Sequence, residues 1–251
     1  MPMEHSRAPK QQRSRQSFDR MLDAAIEILN QGGLSALTLA EVSRRSRVSI
    51  GSIYCRVDSK EDLIREVQAR VLAEMDHEFA ATVNRVRRKS LPLRELVPSM
   101  VRELALYLRR HSALLTAFMQ CGPADPVVRA VGIKSFAQTA LDFKLVLLER
   151  HAEFRHPEAE HAAATCFTVV YGALARYLGL GVTTELEGAR EVDWKQLVED
   201  LGLMTLAFLV VDVRALQQGG LRTRPPNQAA RRSLARHSSA SEPAAKVVAS
   251  R

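Results

Sequence analysis

Apolar residues recur at helical spacing along most of this chain, and that pattern predicts an all-α protein. The longest example extends from Leu63 to Val83, where one apolar face continues for several turns behind Ser59, a residue suited to cap a helix. Hydrophobic residues make up 46% of the 251 positions, which is enough for a sizeable core. Further helices are predicted near residues 92–110, 112–120, 125–153, 158–179 and 193–217, and no segment alternates like a strand.

Two short helices joined by a tight turn are predicted near the N-terminus, after a longer amphipathic helix at about residues 18–29. Thr38 and Glu41 form a capping box, in which each side chain can satisfy a free backbone amide at a helix start. The pattern breaks at residues 46–48, and a short segment from Ser49 to Tyr54 follows. A short helix held by two others presents its outer face to solvent.

Positive charge is concentrated at the two ends of the chain. Lys and Arg outnumber Asp and Glu by 10 to 6 in residues 1–60 and by 7 to 1 in residues 219–251, whereas residues 61–218 hold 19 against 21. A basic end beside a near-neutral body is typical of a nucleic-acid-binding head on a separate domain, although the basic tail could equally aid solubility. The pattern divides the chain into a flexible basic arm (1–16), a short helical domain (17–62), a larger helical domain (63–218) and a disordered basic tail (219–251).

The stretch from Thr38 to Leu63, TLAEVSRRSRVSIGSIYCRVDSKEDL, resembles the helix-turn-helix of the TetR family of transcriptional regulators. The resemblance covers about residues 17–64 and includes the amphipathic helix that precedes the motif. The family commonly has Gly where this chain has Arg47 and an aromatic residue where it has Val57. A non-Gly residue in a left-handed turn costs about 1 kcal/mol. The resemblance implies a three-helix DNA-binding domain with a helix-turn-helix (17–62), followed by a larger helical ligand-binding and dimerisation domain (63–218).

A DNA major groove about 12 Å wide admits one helix. The segment from Ser49 to Tyr54 is the predicted recognition helix, because it is the short helix whose outer face is presented to solvent. Gly51 allows the backbone to approach DNA, while Ser49, Ile50 and Ser52 could reach base edges or a thymine methyl group. The resemblance assigns phosphate contacts to Thr38, Tyr54 and Lys60, and four arginines add positive charge, namely Arg44, Arg45, Arg47 and Arg56. These arginines could alternatively form only a solvated face.

Two further sites are predicted in the C-terminal part. TetR-like proteins form homodimers through a four-helix bundle of their last two long helices, which implies an interface here at Phe167, Tyr171, Leu174, Leu197, Leu201, Met204 and Phe208. An intramolecular core seam is the alternative. The resemblance also implies a small-molecule effector, apolar by default, in a pocket lined by Tyr107, Phe118, Met119, Phe136, Phe143 and Tyr171, although ordinary core packing explains each residue as well.

Other classes of function lack sequence signals. The histidines at 151, 156 and 161 scatter around a helix rather than share a face, and the three cysteines are far apart, so no metal or cofactor is expected. No nucleophile elbow, phosphate loop or metalloprotease motif indicates an enzyme. Without a membrane span or secretory signal, we expect a cytoplasmic protein. The competing hypotheses are a non-specific or architectural nucleic-acid-binding protein and, more distantly, a helical protein that only sequesters a ligand.

Overall fold

Every element that the structure describes is helical, which confirms the predicted all-α class. The computed structural model describes residues 7–180, 193–212 and 215, with side chains from residue 12 onward, and its main unit ends at Val211. The predicted tail at 219–251 lies outside the described residues. The helices are α1 (Arg7–Ala36), α2 (Leu39–Ser46), α3 (Ile50–Tyr54), α4 (Lys60–Arg87), α5 (Leu93–Arg110), α6 (Ser112–Cys121), α7 (Pro126–Leu148), α8 (Ala159–Tyr177) and α9 (Trp194–Val210), with a short 3₁₀ turn at His151–Glu153.

The first three helices pack around one small apolar core. Ile28 of α1, Val42 of α2 and Ile53 of α3 are all fully buried, and Leu63 of α4 closes the core from the following helix. Leu63 lies on the apolar face that the sequence predicted for its helix. The outer faces of α2 and α3 are therefore left to solvent.

Helix α4 connects this small unit to the rest of the fold. It packs against α1, α5 and α7, and Lys60 in its first turn donates to the Leu34 carbonyl of α1. One continuous face is buried along its length, from Leu63 to Val86. The predicted boundary at residues 62 and 63 falls within this helix, so no loop separates the two predicted domains.

The remaining helices form a bundle in which α5 packs on α9 and α7 packs on α8. The α5 and α9 backbones approach closely, since a Cβ atom added to Gly202 would lie only 3.2 Å from the Pro98 Cα. A side chain at Gly202 would require Pro98 to shift by a few tenths of an ångström. Within the described residues, no helix is long and apolar enough to span a membrane, and no cluster of potential metal ligands is present.

Three helix boundaries differ clearly from the prediction, and one of them is the end of α9, which lies at Val210 instead of residue 217. Helix α1 begins at Arg7, well before residue 17, where the predicted arm ends. Its first turns are rich in Lys, Arg and Gln, which favour helix but give no apolar stripe for a periodicity search to detect. Helix α7 ends at Leu148 instead of continuing to residue 153, and the 3₁₀ turn follows it.

Part of the predicted dimer interface is instead internal core. Phe167, Leu174 and Leu201 are almost fully buried within one protomer, so a partner could not contact them. Their apolar faces meet neighbouring helices of the same chain, as the alternative of a core seam proposed. Tyr171, Leu197 and Phe208 are partly buried against this core, whereas Met204 is 62% exposed.

Candidate nucleic-acid interface

The turn between α2 and α3 is fixed by local hydrogen bonds. The Thr38 Oγ1 accepts from the Glu41 amide at 3.1 Å, which caps α2. The Ser43 hydroxyl donates to the Val48 carbonyl at 2.7 Å, and the Val48 amide donates to Ser46 Oγ at 3.2 Å. The Ser43 and Ser46 hydroxyls thus hold the turn in place, while Thr38 fixes the start of α2.

Arg47 occupies the left-handed position of this turn, with φ 55° and ψ 32°. The conformation is the one that favours glycine, and it explains why the resemblance expects glycine there. The side chain is exposed, and among the described residues it has no hydrogen bond or ion pair. Its cation is therefore available to an external anion.

Helix α3 presents one face outward and anchors the other. Ile53 is fully buried, while Ile50 is 42% and Tyr54 54% exposed. Ser49 caps the helix by accepting from the Ser52 amide at 3.2 Å, and its hydroxyl lies 2.8 Å from that of Ser52. A Cβ atom added to Gly51 would have no protein atom within 4 Å. The protein's own packing thus does not require glycine at this exposed position.

Two of the predicted DNA-binding arginines are paired with Glu41 on the same helix. Arg44 lies 2.6 Å and Arg45 2.7 Å from the Glu41 carboxylate, and these hydrogen bonds, led by that from Arg44, lower the Glu41 pKa to about 2. The Arg44 side chain remains 70% exposed, whereas Arg45 also bonds Gln31 of α1 at 2.6 Å. Arg44 could turn toward a phosphate, but Arg45 is mainly tied to α1.

Two other predicted phosphate ligands are engaged inside the domain. The Arg56 guanidinium donates to the Ser14 carbonyl and lies 5.1 Å over the Phe18 ring. The Lys60 ammonium donates to the Leu34 carbonyl at 2.7 Å. Both cations therefore hold α1 against the segment that follows α3, and only their remaining N–H groups are available to a phosphate.

The structure also identifies contributors that the sequence analysis missed. Glu41 neutralises two nearby cations, and Ser43 fixes the turn. The i to i+3 and i to i+4 spacing of Glu41 with Arg44 and Arg45 was a visible signal for the ion pairs. The Ser43 contact spans the turn, so spacing within one helix could not reveal it.

A cavity of about 520 Å³ lies between α4, α5, α6, α7 and α8. Of the predicted pocket residues, Tyr107, Phe118, Met119, Phe136 and Tyr171 line it. Phe143 does not: it is fully buried, with its ring 5.6 Å from that of Phe167. The prediction for Phe143 is therefore wrong, because this aromatic residue of α7 faces the core instead of the cavity.

The cavity wall is connected to the first turns of α4. Asp125 caps α7 by accepting from the Val127 and Val128 amides, and the Arg65 guanidinium of α4 lies 2.8 Å from its carboxylate. Burial favours a higher pKa for Asp125, but hydrogen bonds from Arg65 and these amides bring it below its usual value. Gln68 of α4 donates to the Val128 carbonyl at 2.9 Å and lines the cavity, as Val128 does.

Comparison with known proteins supports a regulator fold. Residues 21–67 match the model of the tetR family of bacterial regulatory proteins. Over 131 residues the chain is 31% identical to uncharacterized HTH-type transcriptional regulators of Mycobacterium bovis and Mycobacterium tuberculosis, with 51% of this chain and 58% of each relative aligned. The match thus spans less than two thirds of these relatives.

Solved structures share the fold over more of the chain. A protein described as a TetR-family regulator from Mesorhizobium loti has TM-score 0.63 and 14% identity, covering 78% of this chain and 96% of its own. A Saccharomonospora viridis regulator in complex with choline has TM-score 0.60 and 16% identity, covering 77% and 95%. The fatty acid degradation regulator FadR from Bacillus halodurans has TM-score 0.51 and 16% identity, covering 82% and 96%. At these identities the likeness shows the fold alone.

Proposed function

We propose that the chain is a TetR-type protein, as the match of residues 21–67 supports, and that it is a sequence-specific DNA-binding transcriptional regulator that acts as a ligand-responsive repressor. The observation that carries the proposal is the outward face of α3, where Ile50, Gly51 and Tyr54 are exposed while Ile53 is anchored in the core. On this proposal the protein is cytoplasmic and not an enzyme.

The exposed residues fall into two groups, those suited to contact bases and those suited to contact phosphates. Ile50 and Ser52 would contact bases, Gly51 would allow the backbone to approach them, and Tyr54 and Arg47 would contact phosphates. The Thr38 hydroxyl caps α2 at the same surface and could share in a phosphate contact. Arg44 would add a contact only by releasing Glu41, so fewer cations are immediately available than the sequence contains.

Two copies of the chain are needed to bring two recognition helices to successive major grooves, about 34 Å apart. The exposed apolar residues of α8 and α9 support a homodimer through these helices: Val169 is 51% exposed, and Leu203 and Met204 are each 62% exposed. Together with Val210, these exposed residues form the interface that we propose. The buried Phe167, Leu174 and Leu201 are no longer part of it. The resemblance to TetR-like dimers supports the same pair of helices.

The cavity would hold the effector. Its size falls within the usual range for small-molecule sites, and one structural neighbour is described in complex with choline, another as a fatty acid degradation regulator. Effector binding must favour one separation of the two DNA-binding heads over another, because a ligand with equal affinity for both states changes nothing.

The test is selection of genomic DNA fragments by the purified full-length protein, followed by competition. We expect the protein to select a limited set of related sites. An unlabelled duplex of the selected sequence should displace the protein from such a site far better than random duplex does. Equal displacement by random duplex would support the architectural alternative. Failure to bind any duplex at low salt would support a protein that only sequesters a ligand.

Variants assign the roles within this experiment. We expect Tyr54→Phe, which removes only a hydroxyl, to weaken binding to selected and random DNA about equally, whereas Ser52→Ala alters the preferred sequence. Ser49 is a poor choice for this purpose, because its hydroxyl also caps α3. Equal effects of Tyr54→Phe and Ser52→Ala on both kinds of DNA would contradict the assignment.

A further inference from the structure

We propose that the cavity takes an uncharged, mostly apolar molecule that carries a hydroxyl or carbonyl oxygen. This inference rests on the proposed effector site and names the chemical class of its ligand. It is argued from the charges and the unused hydrogen-bonding groups of the cavity lining.

The lining contains almost no charge. Among the described residues that line the cavity there is no carboxylate and no lysine or histidine, and Arg129 is the one ionised side chain. Arg129 is exposed, so water already solvates its guanidinium. An ionic ligand would lose its hydration in this cavity without an inward-facing partner of opposite charge, and burying an unpaired charge costs several kcal/mol.

A cation is disfavoured as well. Behind the cavity wall, the Asp76 carboxylate already accepts a hydrogen bond from Ser135 at 2.5 Å. The rings of Phe136 and Tyr171, whose centroids are 4.8 Å apart, could attract a cation. A ring contact of this kind compensates for only part of the lost hydration.

Most polar groups of the cavity lining are already used. The Thr139 hydroxyl donates to the Ser135 carbonyl at 3.1 Å, and Tyr107 is hydrogen-bonded to Thr139. Gln68 uses its amide nitrogen on Val128, which leaves its carbonyl oxygen without a donor among the described residues. The Tyr171 hydroxyl likewise makes no hydrogen bond within the part of the chain that the structure describes. The unused groups are thus one hydroxyl and one amide oxygen.

These two groups determine what the ligand must carry. Burial raises the pKa of Tyr171, so its hydroxyl stays protonated and can donate to a ligand oxygen. The Gln68 carbonyl can accept from a ligand hydroxyl. An otherwise apolar molecule with such an oxygen would satisfy them, whereas a pure hydrocarbon would leave both without partners.

The experiment compares three probes with one alkyl chain and different head groups: 1-decanol, decanoate and decyltrimethylammonium. Calorimetric titration of the full chain, without DNA, gives the affinities. We expect 1-decanol to bind at least tenfold more tightly than either ion. Tightest binding by decanoate, lost in Arg129→Gln, would show an anion site. Tightest binding by decyltrimethylammonium would show a cation site, and either result, or no binding of 1-decanol, overturns the proposal.

A conservative variant tests the role of Tyr171. We expect Tyr171→Phe to weaken 1-decanol binding by roughly three- to tenfold, the net effect of one hydrogen bond. The matched control is Tyr177→Phe, whose ring stacks on Trp194 outside the cavity and which should leave the affinity unchanged. An unchanged affinity in Tyr171→Phe overturns the assignment of this hydroxyl. If 1-decanol binds as expected but does not alter DNA binding, the ligand class stands and the proposed effector role fails.

Discussion

At the scale of single residues, some side chains of the N-terminal helices stabilise the fold, and others are exposed and available to the proposed DNA interface. Ile53 serves only the fold, because it is fully buried. Arg56 and Lys60 carry charges suited to phosphate but are engaged with Ser14 and Leu34. Arg47 is the opposite case, since its left-handed backbone costs stability while its side chain is free for DNA. A net count of positive charge therefore overstates what DNA can contact.

Replacing Arg47 should separate these two effects. We expect Arg47→Gly to raise the free energy of unfolding by about 0.5–1 kcal/mol, because glycine adopts positive φ without a steric penalty. Arg47→Ala is the matched control, since it removes the same cation but keeps the strain, and its stability should not rise. Urea unfolding measures stability, and anisotropy titration should show that both variants lose DNA affinity. A glycine variant no more stable than the alanine variant would contradict this account of the turn.

Glu41 should make the stability of the N-terminal helices depend on pH in the acidic range. Its pKa is about 2 in the folded protein against an ordinary value of 4.5, so the stabilising effect is complete above pH 4.5 and disappears as pH falls toward 2. We expect Glu41→Gln to be less stable than the native protein at neutral pH, with the difference vanishing in that acidic window. Urea unfolding across the pH range measures it. A difference that grows on acidification would refute the assignment.

At the scale of elements, the helix starts that could be predicted were those fixed by local chemistry. Thr38 and Ser59 cap α2 and α4 as the sequence indicated, because a cap involves residues only two or three positions apart. The early start of α1 was missed because its first turns are polar. The buried state of Leu201 and Leu174 was missed because an apolar stripe does not specify which surface covers it.

The connection between α7 and α4 predicts how the cavity would affect the DNA-binding unit. A Cβ atom at Gly132 would lie 3.7 Å from Gln68 Nε2, so Gly132→Trp should fill the cavity and stand in for an effector. We expect it to weaken DNA binding about tenfold, within the usual range of allosteric coupling. Asp125→Asn keeps an oxygen to cap α7 but removes the charge opposite Arg65. In the Asp125→Asn background, Gly132→Trp should weaken DNA binding by less than twofold.

A second ion pair supplies the control for this experiment. Arg87 and Glu149 also join α4 to the end of α7, at 2.5 Å, but neither residue lines the cavity. Glu149→Gln should therefore leave the full effect of Gly132→Trp on DNA affinity, measured by anisotropy. If Asp125→Asn and Glu149→Gln behave alike, the Arg65–Asp125 pair does not carry the coupling.

At the scale of the whole molecule, the account requires two copies whose α3 helices face one side of a DNA duplex. The exposed apolar residues of α8 and α9 would hold these copies together, and the cavity lies within each copy. The apolar pattern predicted the pair of helices but not which of their apolar residues are exposed, since periodicity marks an apolar face and cannot distinguish a core from an interface. The exposed residues make the proposed dimer directly testable.

A charge placed on the exposed face should separate the copies. We expect the native protein to scatter light as twice the 27.9 kDa chain mass at micromolar concentration, and Met204→Glu to shift it toward the monomer. Burying an unpaired carboxylate in an interface is strongly unfavourable. Lys195→Glu, at an 84% exposed side chain on the same helix, is the control and should remain dimeric. A native protein that is monomeric at that concentration would refute the dimer.

The most direct measurement of the central claim is the pair of effects produced by Gly51→Ala. Because the added methyl group meets no protein atom and alanine favours helix over glycine, the variant should unfold with a free energy up to about 1 kcal/mol higher. If the α3 backbone approaches DNA closely, the same methyl group should lower affinity for the selected site at least tenfold. A more stable protein with reduced DNA binding is the expected result, and a more stable protein with unchanged binding would contradict the account.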